Sequence, residues 1–216
     1  MVDEPWEAVP PEEEPTASPK ASARWLLWLL APVVLACGLV VYTQHRTGPA
    51  PATSTDGLAL GGPFALTAPD GSRFTQANLA GKPYALYFGY LRCPDACPTT
   101  LAKLARLRKT MGPAGNRFAI VFVSVDPGHD TPAEVGRYAA LFGTPIIGLS
   151  GTEAQLRPME KAWAIYVQKV PQPGGDYTVD HSTLVYLMGP DGRLIDIIDH
   201  EEGDEASLAK LRRLVG

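Results

Sequence analysis

An apolar run at residues 84–90, Tyr-Ala-Leu-Tyr-Phe-Gly-Tyr, is followed two residues later by Cys93-Pro94-Asp95-Ala96-Cys97-Pro98, and helical spacing begins near Thr99. The run is rich in aromatic residues and too short for a buried helix, so it reads as a core strand. Beyond it, Leu101, Leu104, Ala105 and Met111 recur at near-helical intervals, with Lys103, Arg106, Arg108 and Lys109 on the other faces. The spacing predicts a helix over about 98–111. The chain must turn from a buried strand into a helix within a few residues, and two cysteines occupy that turn. Free N–H groups and the positive end of the helix dipole favour anions there, so these thiols should ionise more readily than free cysteine. Such a pair is either a redox couple or half of a soft-metal site.

The remaining elements fit around this unit. Residues 64–67 and 73–75 flank Pro69-Asp70-Gly71 and read as a hairpin. Residues 118–125 are almost continuously apolar, as expected for a central parallel strand. Thr131-Pro132-Ala133-Glu134 then supplies an N-cap, a proline at the first helical position and a capping-box glutamate. A short strand at 145–149 and a helix at 152–163, with Thr152 and Gln155 as a second capping box, come next. Strands at 183–188 and 194–198 are joined by Pro190-Asp191-Gly192, and a helix at 206–214 closes the chain. This order predicts an α/β domain with a central mixed sheet flanked by helices. The cysteine pair after the first core strand makes the pattern thioredoxin-like.

Ahead of that domain, at 58–216, the composition changes twice. Residues 1–23 are rich in Pro, Glu and Ala and read as a disordered tail, too acidic for a mitochondrial transit peptide. Residues 25–42 are an unbroken apolar and small-residue run with Trp25, Trp28 and Tyr42 placed like an interfacial belt, which predicts a single transmembrane anchor over 24–43. Lys20 and Arg24 before the run orient the tail toward the cytoplasm. The domain then faces the periplasm from a bacterial inner membrane. A lipid-attachment site at Cys37, within Val34-Leu35-Ala36-Cys37-Gly38, is the alternative, although Leu39 to Tyr42 continue the apolar run. Residues 44–57 read as a linker.

A formal net charge of −4 leaves no basic footprint, which argues against nucleic acid as a partner. Three cysteines are too few for a disulfide scaffold. General thiol–disulfide exchangers carry Cys-x-x-Cys after an aromatic residue and a proline before the facing strand. Here three residues intervene, Arg92 precedes Cys93, and Thr178-Val179-Asp180-His181-Ser182 holds no proline. The Pro-x-x-x-Thr-x-x-Cys arrangement of a peroxidase is missing. His181, at the start of the strand predicted over 183–188, can face the cysteine loop if that strand runs beside the one ending at Tyr90. Two thiolates and one imidazole form a three-ligand set suited to copper, thiolate to Cu(I) and imidazole also to Cu(II). Asp95, Asp126 and Asp180 could orient the ligands, although Asp126, after a buried strand, reads equally as a structural hydrogen-bonding residue. His129 reads as a loop residue and His45 and His200 as solvated. The cations Lys103, Arg106, Arg108 and Lys109 read as a solvated helix face, with a docking surface for an acidic partner as the alternative.

Residues 88–98 (Phe-Gly-Tyr-Leu-Arg-Cys-Pro-Asp-Ala-Cys-Pro), Val123-Ser124-Val125-Asp126-Pro127 with Asp130-Thr131-Pro132, and Asp180-His181-Ser182 followed by residues 186–192 (Tyr-Leu-Met-Gly-Pro-Asp-Gly) resemble the Sco/SenC copper-chaperone family. The similarity spans about residues 60–215. The resemblance implies a membrane-anchored, thioredoxin-like protein that binds copper through Cys93, Cys97 and His181. It further implies a role in assembling the dinuclear copper centre of cytochrome c oxidase subunit II. The same cysteines could instead act as an oxidoreductase that keeps the acceptor's thiols reduced. Gly128-His129 stands where the family commonly has Glu-Arg.

Overall fold

The computed structural model describes residues 60–216. Strands β1 (Ala65–Thr67) and β2 (Arg73–Thr75) form the small hairpin around Pro69-Asp70-Gly71. There follow β3 (Tyr84–Gly89), helix α1 (Ala96–Thr110), β4 (Ala119–Ser124), α2 (Pro132–Ala139), β5 (Ile146–Leu149) and α3 (Glu153–Ala162). The chain continues through β6 (Val167–Pro171), β7 (Tyr177–His181), β8 (Val185–Met188), β9 (Leu194–Ile198) and α4 (Asp204–Val215). The apolar run at 24–43, the tail before it, the linker after it, Cys37 and His45 lie outside the described residues.

Five strands form the central sheet in the order β5-β4-β3-β8-β9. β3 pairs parallel with β4, and β4 parallel with β5, each through a crossover helix. On its other edge β3 pairs antiparallel with β8, and β8 antiparallel with β9. The sheet is mixed, as the alternation of elements predicts. All six residues of β3 and all six of β4 are buried, which explains why both strands are apolar without alternation: helices cover both faces. Tyr186 packs edge-on to both Phe88 and Trp163, which are tilted against each other, and it donates its hydroxyl hydrogen to the Trp163 carbonyl.

The helix starts follow their sequence signals. The Thr131 side chain accepts from the Glu134 N–H while the Glu134 carboxylate accepts from the Thr131 N–H, and Pro132 stands in the first turn. Thr152 and Gln155 form the second capping box.

Four expectations need correction. The segment 167–181, whose C-terminal part reads from sequence as a loop, is the β6–β7 hairpin, and it forms a two-stranded sheet of its own. The strand expected from residue 183 begins at Val185, so His181 ends β7 rather than preceding β8. The cationic face of α1 is only partly solvated: Lys103 and Arg108 are each 8% exposed. Lys103 Nζ donates to the Glu202 carbonyl and Arg108 Nη1 to the Pro145 carbonyl, so their stems cover the core while their heads find backbone acceptors. Arg106 pairs with Asp204 of α4, and Lys109 is exposed. His200 is likewise not simply solvated, since its Nδ1 lies 3.0 Å from the Thr100 hydroxyl.

Gly89 ends β3 where the sheet meets the cysteine loop. A Cβ there would lie 2.7 Å from Cys97 Sγ and 2.9 Å from the Phe122 ring. Gly89→Ala is therefore expected to cost about 1–3 kcal/mol of stability through overpacking. Urea denaturation of the variant against the parent checks this, and equal midpoints would show that the close approach is not a constraint.

Candidate metal centre

The antiparallel pairing of β3 with β8 sets Tyr87 opposite Val185. The loop leaving β3 and the segment entering β8 consequently meet at one end of the sheet, and both flank a cleft of about 470 Å³ lined by Tyr90, Cys93, Asp95, Asp180 and His181. The loop after β3 is tied down before it reaches Cys93: Leu91 N–H donates to Asp130 Oδ2 at 2.9 Å, and the same oxygen accepts from the Ser124 hydroxyl at 2.6 Å. Burial pushes the Asp130 carboxyl above its ordinary range, and these two donors oppose that shift.

Helix α1 starts immediately after Asp95. The Asp95 side chain accepts from the Thr99 hydroxyl and makes no capping bond to the helix N–H groups, and the first turn holds no acidic residue. Cys93 sulfur takes that place, accepting from the Cys97 N–H at 3.3 Å. Pro98 lacks an N–H, but in the first turn none is needed. The negative group that the helix start favours is thus a thiolate.

The two thiols are unequal. Cys97 is fully buried, whereas Cys93 is partly exposed to the cleft. The Cys97 thiol donates to the Cys93 sulfur, and this bond, helped by the backbone N–H groups of Cys97 and Asp95, lowers the Cys93 pKa to about 4 against the opposing effect of partial burial. Donation to Cys93, followed by burial, pushes the Cys97 thiol well up. The pair holds one proton across the physiological range, on the inner sulfur.

His181 reaches the pair from β7. Its Nδ1 lies 2.8 Å from the Ser182 carbonyl oxygen, which can only accept, so Nδ1 carries the proton and Nε2 presents its lone pair. Nε2 is 3.4 Å from Cys97 Sγ. The ring is held edge-on to Tyr87 and Tyr90, at centroid distances of 6.4 and 5.7 Å. The donor atoms of Cys93, Cys97 and His181 all lie within 4.8 Å of one another. Two sulfurs bonded to one ion at about 2.3 Å can be at most about 4.6 Å apart. The three donors therefore close on a single ion with sub-ångström shifts. Two thiolates and an imidazole are a soft, low-coordinate set, which suits copper better than a closed four-ligand zinc site.

Of the acidic residues expected to orient ligands, none bonds a donor atom with its carboxylate. Asp95 contributes only its backbone N–H, Asp180 is exposed on β7, and Asp126 is fully buried in a separate network with Tyr177 and His129. His129 lies outside the donor cluster, with Nδ1 2.8 Å from Asp126 Oδ2. Sequence reasoning missed the Ser182 carbonyl and Tyr87. The Tyr87 hydroxyl is buried without a hydrogen-bond partner, and burial together with the nearby Cys97 sulfur pushes its pKa up. A donor left free beside Cys97 can bond that sulfur once it becomes a thiolate. The apolar run hid this, because an inward-facing tyrosine in a core strand looks like any other packed aromatic.

The SCO1/SenC family model matches residues 52–216. The chain is 42% identical over 134 residues to protein SCO1 homolog 1, mitochondrial, of Arabidopsis thaliana, covering 62% of this chain and 40% of that protein. It is 37% identical over 161 residues to protein SCO2, mitochondrial, of Saccharomyces cerevisiae, covering 73% and 54%. The chain thus spans about half the length of these curated relatives. Among solved structures, Bradyrhizobium japonicum ScoI with copper bound superposes with a TM-score of 0.66 at 40% identity, covering 72% of this chain and 99% of that one.

The inequality of the two thiols is open to direct measurement. A neutral alkylating reagent is expected to label Cys93 in the reduced, metal-free protein at a rate nearly constant between about pH 6 and pH 8, leaving Cys97 unmodified. An ordinary thiol gains about tenfold per pH unit over that range. A tenfold-per-unit rise at Cys93 would mean that the Cys97 thiol and the helix start do not hold it ionised.

Proposed function

The chain belongs to the SCO1/SenC family, and we propose that it is a copper chaperone whose cargo ion is held by Cys93, Cys97 and His181. The observation that carries this reading is the convergence of those three donors, from two distant parts of the chain, at one end of the sheet. The copper bound in the Bradyrhizobium relative supports the choice of metal. Cu(I) is held chiefly by the thiolates, and the imidazole completes the site for Cu(II). Loading displaces one proton, from Cys97, because Cys93 is already ionised. Cys93 also faces the cleft, so an incoming acceptor thiolate replaces it first while Cys97, at the floor, lets go last.

By the family resemblance the acceptor is the dinuclear copper site of cytochrome c oxidase subunit II. The domain is tethered to the bacterial inner membrane by residues 24–43 and faces the periplasm. Among the described residues no helix is long and apolar enough to cross a membrane, so the anchor rests on the apolar run alone. The thiol pair favours a second reading, in which it reduces the acceptor's disulfide. The Cys93 thiolate would attack one acceptor sulfur and expel the other as a thiolate, forming a mixed disulfide. Cys97, giving up its proton, would then attack Cys93 sulfur, leaving a Cys93–Cys97 disulfide and an acceptor dithiol. The acceptor disulfide is reduced and this pair is oxidised.

His181→Ala separates the two readings. In the full chain it is expected to weaken Cu(II) binding by at least about 100-fold and to abolish the visible thiolate-to-copper band of the parent, while Cu(I) binding and disulfide exchange persist. Copper–zinc competition on the reduced, anaerobic parent should end with copper bound. A parent that keeps zinc, or a variant that binds both copper states as the parent does, would overturn the three-donor site. For the anchor, alkaline carbonate washing of membranes should leave the protein in the pellet, and intact mass should place no lipid on Cys37. Release into the wash would remove the anchor, and a diacylglycerol-sized mass at Cys37 would replace it with a lipid.

A further inference from the structure

Resting on the reading of His181 as a copper ligand, we infer that a polar latch beside the site, built by Arg92, Asp126, Asp176 and Tyr177, is what positions His181. The hairpin β6–β7 that carries His181 shares no ladder with the five-stranded sheet, so side chains must fix where it lies. At the His181 end the ring meets Tyr87, Tyr90 and Cys97. At the other end of β7, Tyr177 donates its hydroxyl hydrogen to Asp126 Oδ1 at 2.5 Å. Asp126 follows β4 and is fully buried. Arg92, adjacent to Cys93, donates through Nη1 to Asp176 Oδ2 at 2.7 Å and through Nη2 to the Tyr177 carbonyl at 3.2 Å. The same guanidinium lies 5.6 Å from the Tyr177 ring centroid and 3.6 Å from Asp126.

The residue next to Cys93, the end of the central strand and the start of the strand bearing His181 are therefore bound in one cluster. A buried carboxylate such as Asp126 is tolerated only with partners of this kind. One of those partners is the hairpin itself. Gly128 makes room for it: a Cβ at 128 would lie 2.6 Å from Tyr177 Oη, and its backbone conformation alone does not demand glycine. Absence of a side chain there serves the Tyr177–Asp126 bond. His181 is four residues from Tyr177 along a single strand, so a shift at one end of β7 moves the imidazole relative to two sulfurs that do not move.

Three variants of the full chain test this: Tyr177→Phe removes only the hydroxyl, Asp176→Asn removes the charge facing Arg92, and Gly128→Ala crowds the bond without substituting either partner. In metal-free protein, amide hydrogen exchange across residues 166–182 is expected to quicken about fivefold or more, with β3 and β4 unchanged. Cu(II) affinity should fall about tenfold, and this loss should vanish in the His181→Ala background, because a positioning residue acts only through the group it positions. Exchange or Cu(II) affinity equal to the parent's, or an equal loss with and without His181, would overturn the latch. A parent that binds no copper at these residues would instead overturn the chaperone reading, and the exchange rates alone would then decide whether the hairpin is latched.

Discussion

Everything at this site depends on two neighbouring strands running in opposite directions. β3 and β8 pair antiparallel, so the end of one lies beside the start of the other, and residues almost a hundred positions apart in the chain share one rim. The parallel pairing of β3 with β4 adds a third contributor at the same rim, because parallel strands finish together. Cys93, Asp126 and His181 are brought within reach by this arrangement, not by any local motif. The rim is also where α1 begins, and an unsatisfied helix start is a standing demand for negative charge. Fold and site chemistry thus have a common origin: the sheet collects the residues, and the helix selects the ionised form of one of them.

That selection divides labour between two chemically identical side chains. Cys93 sulfur accepts the Cys97 N–H and thiol hydrogen and faces the cleft, so it is ionised and reachable. Cys97 is fully buried, keeps its proton, and touches the imidazole. A symmetric pair would have to lose two protons to bind a metal, whereas this one loses a single proton from a sulfur that has Tyr87 beside it. The same asymmetry suits disulfide exchange, where an exposed thiolate attacks and a protected thiol resolves. The thiols alone do not separate the two proposed roles. His181 does, since disulfide exchange makes no use of a lone pair aimed at the inner sulfur.

The sequence made most of the scaffold legible, for identifiable reasons. Capping boxes at Thr131 and Thr152 are short-range chemistry and held to the residue. The Pro-Asp-Gly turns fixed two hairpins, and continuous apolar runs marked β3 and β4 as doubly covered. What failed involved residues whose environment is decided from afar. Lys103 and Arg108 look like a solvated face because their heads are charged, yet their aliphatic stems lie on the core and their donors find carbonyls on other elements. β6 was illegible because its residues, Val-Gln-Lys-Val-Pro, neither alternate in burial nor exclude proline. The Gln172-Pro173-Gly174-Gly175 turn signal was available, and with it the hairpin could have been found. The three donors were legible by type and order, whereas the tautomer of His181 was not, since it is set by the carbonyl of Ser182.

An ion that must be both held and surrendered needs ligands of different mobility. The two sulfurs sit where a buried strand, a helix start and the Asp130 anchor converge, and none of these can shift without opening the core. The imidazole sits on a hairpin outside the main sheet, joined to it by side-chain contacts that exchange with water far more cheaply than ladder bonds within a core. A rigid sulfur pair retains Cu(I) when the third ligand leaves, and return of the hairpin restores a site fit for Cu(II). In the proposed chaperone the hairpin therefore governs which copper state the site holds, and transfer itself waits on an acceptor thiolate that replaces Cys93 at the cleft.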